Sequence, residues 1–158
     1  MSSVPDIKAW AQTVQAVVTA IRNAGATTQM ILLPGNNWTS AATYVSNGSA
    51  DALGNVTNPD GKLHTRTASF GFTWDAGSTT NLIFEVHKYS DSDNSGTSQV
   101  CVTNNIDDAF APLADYARSK KRLVLNTEFG GGSGSDCITT ISQQLAFLNK
   151  NSDGEVFS

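Results

Sequence analysis

Apolar residues recur at helical spacing near the start of the chain: Ile7, Trp10, Val14, Val17, Val18 and Ile21. Pro5 suits a first helical turn and Gly25 a helix stop, so residues 6–24 are predicted as an amphipathic helix. Thr28 to Leu33 follows as a short β-rich run closed by Pro34-Gly35. Thr39 to Val56 forms a weaker helical stretch, with Ala41, Ala42, Tyr44 and Val45 as its apolar side. Asn58-Pro59-Asp60-Gly61 is a turn, and Lys62 to Gly77 has no clear period, so a hairpin flap is its default reading. Asn81 to Tyr89 is predicted as a strand that gathers polar groups at its end, with Glu85, His87 and Tyr89 on one face. Ser90 to Thr97 reads as an exposed loop without the spacing of a calcium site. Asn105 to Ser119 is helical, with Ile106, Phe110 and Leu113 on its apolar side and a basic run at its end. Arg122 to Glu128 is a buried strand that breaks into glycine, and Ile138, Ile141, Leu145 and Leu148 mark a last helix. Helices thus alternate with strands, the pattern of a parallel α/β chain with right-handed crossovers.

The chain has 158 residues, enough for one domain but too few for a whole β/α barrel, which needs roughly 200. Its net charge of -4 is spread thinly, and no basic cluster points to nucleic acid. No apolar run is long enough to span a bilayer, so no membrane partner is expected. The glycine run Gly130-Gly131-Gly132-Ser133-Gly134 lacks the spacing and the Lys of a phosphate loop.

Glu128 lies where α/β folds put their chemistry, at the carboxyl end of a strand; it could equally be a capping or salt-bridged Glu. His87 with Tyr89 at a second strand end reads either as a functional pair or as a satisfied structural histidine. Trp38, just past a third strand, is a core plug or a platform for the C–H face of a sugar ring; its polar neighbours favour the platform. Cys101 and Cys137 could form one bridge or remain unrelated thiols. Sequons at Asn37, Asn47 and Asn55 favour a secreted origin. Met1 to Pro5 holds no signal-peptide core, so a secreted origin carries the expectation that the start is missing.

Five blocks in one order carry a resemblance: Val4 to Ala26, Leu-Pro-Gly-Asn-Asn-Trp (Leu33 to Trp38), Val-Thr-Asn-Pro-Asp-Gly (Val56 to Gly61), Asn-Leu-Ile-Phe-Glu-Val-His-Lys-Tyr (Asn81 to Tyr89) and Thr-Glu-Phe-Gly-Gly-Gly (Thr127 to Gly132). The chain resembles the second half of fungal endo-β-1,4-glucanases of glycoside hydrolase family five. The resemblance implies an incomplete TIM (β/α)8 barrel, about strands five to seven with their helices, and a secreted, monomeric enzyme acting on β-glucan without a cofactor or metal. It implies that Glu128 is the nucleophile of a retaining hydrolase and that His87 and Tyr89 line the site beside it. It further implies that Trp38 stacks a sugar and that Cys101 and Cys137 pair as a disulfide. The family's next Cys is absent, Ile141-Ser142 occupying that region.

The departures matter as much. Retaining hydrolysis needs two carboxyl groups about 5–5.5 Å apart. The family's acid/base Glu lies in an Asn-Glu-Pro motif just before the residues matching Val4-Pro5-Asp6, and this sequence has no such motif. One carboxylate does not run a double displacement, so residues 1–158 alone are expected to be an inactive part of a catalytic domain. The alternatives are a non-catalytic carbohydrate-binding remnant and a truncated product without function. Residues 62–77 interrupt the family pattern as an insert, and residues 154–158 depart from it. Both departures open with Gly followed by Lys or Glu, whose codons can spell GTAAG or GTGAG, the usual opening of an intron. Both segments are therefore expected to be intron read through, with Met1 an internal start; the rival is a true loop insertion in a shortened homologue. Sequencing the gene and its transcript checks this: GT and AG must stand at the borders of both segments.

Overall fold

The computed structural model describes residues 4–59, 77–152 and 156–157. Residues 62–76 of the expected insert, with Phe70, Phe72 and Trp74, lie outside the described residues, so the flap expectation does too. The described elements alternate as expected: α1 (Ile7–Asn23), β1 (Ile31–Pro34), α2 (Ser49–Gly54), β2 (Leu82–His87), α3 (Ala111–Lys120), β3 (Val124–Glu128) and α4 (Ser135–Lys150). The strands form one parallel sheet in the order β1-β2-β3.

Helix α1 starts one residue later than Pro5 suggested. Asp6 is its N-cap, with Oδ1 accepting from the Lys8 and Ala9 amides at 2.8 and 3.2 Å. Gly25 takes the left-handed conformation (φ 92°) just after the C-cap, as the stop signal implied. Val14 and Val18 are buried as the periodicity predicts, but Val17 lies off that inward stripe and is exposed. Strand β1 begins three residues later than the composition suggested and runs through Pro34. The expected helix over residues 39–56 is mostly turns, with only α2 helical; Ala41 and Tyr44 are nevertheless buried. Before α3, the chain makes a π-helical turn, Ile106–Phe110; Pro112 has no N–H to give the preceding carbonyls.

The core is built around β2, where Leu82, Ile83, Phe84 and Val86 are all buried. Tyr44 packs on Phe84 with ring centroids 5.3 Å apart, and its hydroxyl donates to the Leu33 carbonyl at 2.6 Å. Beneath the sheet, the Arg122 guanidinium lies 4.5 Å from the Phe84 ring centroid and donates to the carbonyls of Gly54 and Leu82. Burial lowers the pKa of Arg122, whose guanidinium is met among the described residues by carbonyls and an aromatic face.

At the far edge, Val156 and Phe157, from the segment expected to depart from the family pattern, are both buried. The Val124 amide donates to the Val156 carbonyl at 2.6 Å, and Phe157 bridges Val124 in parallel. The Phe157 ring meets Phe110 and Phe147 edge-on, with centroids 6.2 and 6.5 Å away. Helix α4 buries only Cys137 and Gln144; Ile138 and Leu145, expected on its inward stripe, are exposed. Phe157→Ala removes a ring seated between two others and is expected to cost about 3–5 kcal/mol in chemical denaturation.

Candidate active site

The carboxyl ends of β2 and β3 meet at an irregular register. Val86 pairs Asn126, but His87 pairs Glu128, leaving Thr127 as an extra residue. In a regular ladder, Glu128 would share a face with Asn126 and point away from His87, because side chains alternate. The bulge returns it. Thr127 and Glu128 both reach the face carrying Glu85, His87 and Tyr89. The bulge is tied by the Lys88 amide, which donates to the Glu128 carbonyl at 2.9 Å. With its amide nitrogen turned to face them, Asn126 also donates to the carbonyls of Val86 (2.9 Å) and Glu128 (3.2 Å).

Five side chains gather there. His87 Nδ1 lies 3.5 Å from Glu128 Oε2, and the Tyr89 hydroxyl donates to the same oxygen at 3.4 Å. His87 Nε2 lies 3.2 Å from Glu85 Oε1, which also accepts from Thr127 Oγ1 at 2.9 Å. Glu128 is 52% exposed in its side chain, against 19% for Glu85. Burial, and then the negative charge of Glu128, raises the pKa of the Tyr89 phenol, so it remains a donor to the carboxylate through the neutral range.

Past β1 the chain makes a left-handed turn: Asn37, Trp38 and Thr39 have φ of 54°, 52° and 53°. L-residues disfavour this region by about 1–2 kcal/mol each, so something must hold the turn. Thr39 does: its hydroxyl accepts from the Gly35 amide at 2.8 Å and donates to the Glu85 carbonyl at 2.6 Å. The Thr39 carbonyl accepts from the His87 amide, and the His87 carbonyl from the Ala41 amide, both at 3.0 Å. Gly35 is required beside it, since a Cβ there would lie 2.6 Å from the Tyr44 ring. The result projects Trp38 outward, 61% exposed.

The opposite wall is the loop after β2. It is not exposed throughout, as the sequence suggested: Asp91 is buried, and its Oδ2 accepts from the Ser98 amide and the Ser95 hydroxyl. Burial works to raise the Asp91 pKa, but these bonds outweigh it and hold the carboxyl below its ordinary value. Lys88 is buried beneath, bonded to Asn94 and 3.8 Å from Asp108. The Tyr89 ring lies against Gly96 and Gly130, at points where a Cβ would sit 2.6 and 3.5 Å from its Cε1. Outside this pair the Cys101–Cys137 disulfide, with Cα atoms 4.8 Å apart, joins the loop to α4. The Asp136 carboxylate reinforces it by accepting from the Cys101 amide at 2.9 Å.

Between the two walls lies an open cleft of about 730 Å³, the size of a small-ligand site. Trp38, His87, Tyr89 and Glu128 all line it, with Asn37 and Ser95 among the polar groups. Its carboxylates among the described residues are Glu85, Asp93 and Glu128. Only Glu128 pairs high exposure with both a phenol donor and an imidazole at its oxygen. An exposed, aimed carboxylate opposite an aromatic platform suits attack on an electrophilic carbon held by a ring-shaped ligand.

Residues 2–157 match the cellulase family, glycosyl hydrolase family 5. The chain belongs to that family. It is 56% identical to endoglucanase EG-II of Hypocrea jecorina over 148 residues, which make up 94% of this chain and 32% of that protein. The crystal structure of Cel5A (EG2) from the same organism superposes with a TM-score of 0.83 at 54% identity, over 96% of this chain and 42% of that one. The structure of a lucidum protein does so at 0.85 and 58%, over 98% and 43%. The chain therefore spans about a third of the length of the curated relatives it matches. Its three parallel strands with flanking helices are consistent with an incomplete barrel.

The family 5 chain thus brings together Trp38, His87, Tyr89 and Glu128, singled out from sequence, and adds Thr39, Thr127 and Glu85. Glu85 was legible as a facemate of His87; Thr39 was hidden inside a sequon. That sequon is a poor acceptor here, since Thr39 is buried with its hydroxyl engaged. Thr39→Val keeps the shape but orphans the Gly35 amide and the Glu85 carbonyl, so denaturation should report a loss of about 1–3 kcal/mol.

Proposed function

We propose that this chain is the strand-five-to-seven portion of a (β/α)8 catalytic domain, that of a retaining endo-β-1,4-glucanase acting on cellulose or a related β-glucan. In this reading residues 1–158 are one partial domain, the segments 62–77 and 154–158 being departures from the family's course. The observation that carries it is Glu128, exposed in the cleft, with Tyr89 and His87 both at its Oε2. Glu128 attacks the anomeric carbon, and the sugar–oxygen bond to the leaving group breaks. The Tyr89 hydroxyl keeps the carboxylate aimed until the glycosyl ester forms. Trp38 offers a flat apolar face on which a pyranose ring stacks, while Asn37 and Ser95 stand ready for its hydroxyls.

The leaving oxygen needs a proton from a second carboxyl. Glu85 does not supply it: its Oε1 is occupied by Thr127 and His87, and it is the more buried of the two. The resemblance implies that the general acid belongs to the remainder of the barrel, where such a group is typically worth about 10²–10⁴-fold. Compartment follows the family: an extracellular enzyme suits a polymeric substrate and the Cys101–Cys137 disulfide. A sugar-binding role without turnover is the second reading, favoured by the outward Trp38.

The test has two arms. Residues 1–158, purified, should release no reducing ends from a soluble β-1,4-glucan, and cello-oligosaccharide binding without turnover would describe the second reading. Joined to the missing part of the barrel, the protein should hydrolyse the glucan with retention, and Glu128→Gln should lower kcat by at least about 10⁴-fold. Ordinary turnover by residues 1–158 alone, or an undiminished Gln variant, would overturn the assignment.

A further inference from the structure

The least explained group in the cleft is Glu85. It is a carboxylate on the central strand, mostly shielded from solvent, and the nitrogen nearest it belongs to a histidine rather than to a lysine or arginine. Its Oε1 accepts from Thr127, the extra residue of the bulge, at 2.9 Å and stands 3.2 Å from His87 Nε2. The other ring nitrogen, Nδ1, is 3.5 Å from Glu128 Oε2, beyond a good direct hydrogen bond. The imidazole is thus set between two carboxylates, one fixed and close, the other exposed and looser.

We propose that Glu85 is a positioning residue: it holds the single proton of the neutral His87 ring on Nε2, and so presents Nδ1 as a bare acceptor beside Glu128. A neutral imidazole has one N–H, and a carboxylate only accepts. The proton therefore goes to the nitrogen whose acceptor is nearer and better fixed, and the bond formed there sets the tautomer and the ring plane. Glu85 is fixed from both sides, since the Thr39 hydroxyl holds its carbonyl and Thr127 its carboxylate. The consequence for the cleft is chemical. At Nδ1 the site accepts, so a ligand hydroxyl arriving beside Glu128 must donate, while Tyr89 remains the donor to the Glu128 carboxylate. This last step rests on the glucanase reading; the tautomer does not.

The measurement is a long-range ¹H–¹⁵N correlation of the labelled chain, recorded as the buffer is made more alkaline until the ring signals stop moving. His87→Asn identifies which of the chain's two histidines gives the signals. Wild-type protein should give the Nε2–H pattern, and Glu85→Ala should shift it to a mixture of both tautomers. Glu85→Gln, whose amide oxygen accepts at the same point, should restore the wild-type pattern. A wild-type proton on Nδ1 overturns the proposal by itself, before any variant is made. A folded Ala variant with an unchanged pattern overturns it as well. None of these readouts needs turnover, so failure of the completed barrel to cut glucan sinks the functional reading and leaves the tautomer assignment standing.

Discussion

The pairing of β2 with β3, and the one-residue slip within it, is the constraint on which the cleft depends. A parallel ladder alternates side chains strictly, so a carboxylate one position out of phase would face the helices instead of the cleft. By accommodating Thr127 as a surplus residue, the ladder turns Glu128 to the side of His87 and Tyr89 and sends the Thr127 hydroxyl to Glu85. The cost is one lost ladder position, offset by the Lys88 amide and by Asn126 on the neighbouring carbonyls. The presence of Glu128 and Thr127 beside His87 follows from that local irregularity.

A second departure from regular backbone supports the first. Three consecutive side-chain-bearing residues in the left-handed region are costly, and the molecule retains them where Trp38 must be turned outward. The Thr39 hydroxyl links this turn to the β2 backbone at Glu85, so platform and carboxylates are registered by a short chain of hydrogen bonds. On the other wall, Tyr89 is registered by contact, its ring filling a slot lined by Gly96 and Gly130. Strain and close packing thus concentrate around the cleft, while the sheet behind it is ordinary buried Leu, Ile, Phe and Val.

Periodicity was sufficient for the order of strands and helices, because β2 and the inward stripe of α1 are buried and obey simple patterns. Position at a strand end pointed to Glu128, His87 and Tyr89, and the resemblance supplied the disulfide that the structure contains. The slip at Thr127 left no mark in the sequence, since nothing local distinguishes a bulged Asn-Thr-Glu from a straight one. The left-handed turn was equally silent: Asn37 tolerates it, but Trp38 and Thr39 do so only through contacts far along the chain. The reading of α4 failed for a different reason. Its apolar stripe is real, but Ile138 and Leu145 have nothing among the described residues to cover them.

That bareness gives α4 an unusual kind of attachment. Apart from buried Gln144 and from Phe147 and Leu148 near its end, it is moored through the Cys101–Cys137 bond, the Asp136 carboxylate on the Cys101 amide, and the Asn104–Gln143 side-chain pair. A helix held by sulfur and polar ties, rather than by a greasy face, comes loose as a unit of its own. In a thiol-rich compartment its amides would exchange with solvent long before those of the sheet. The wall behind Tyr89 would slacken with them, while the strands that carry the carboxylates stayed in register.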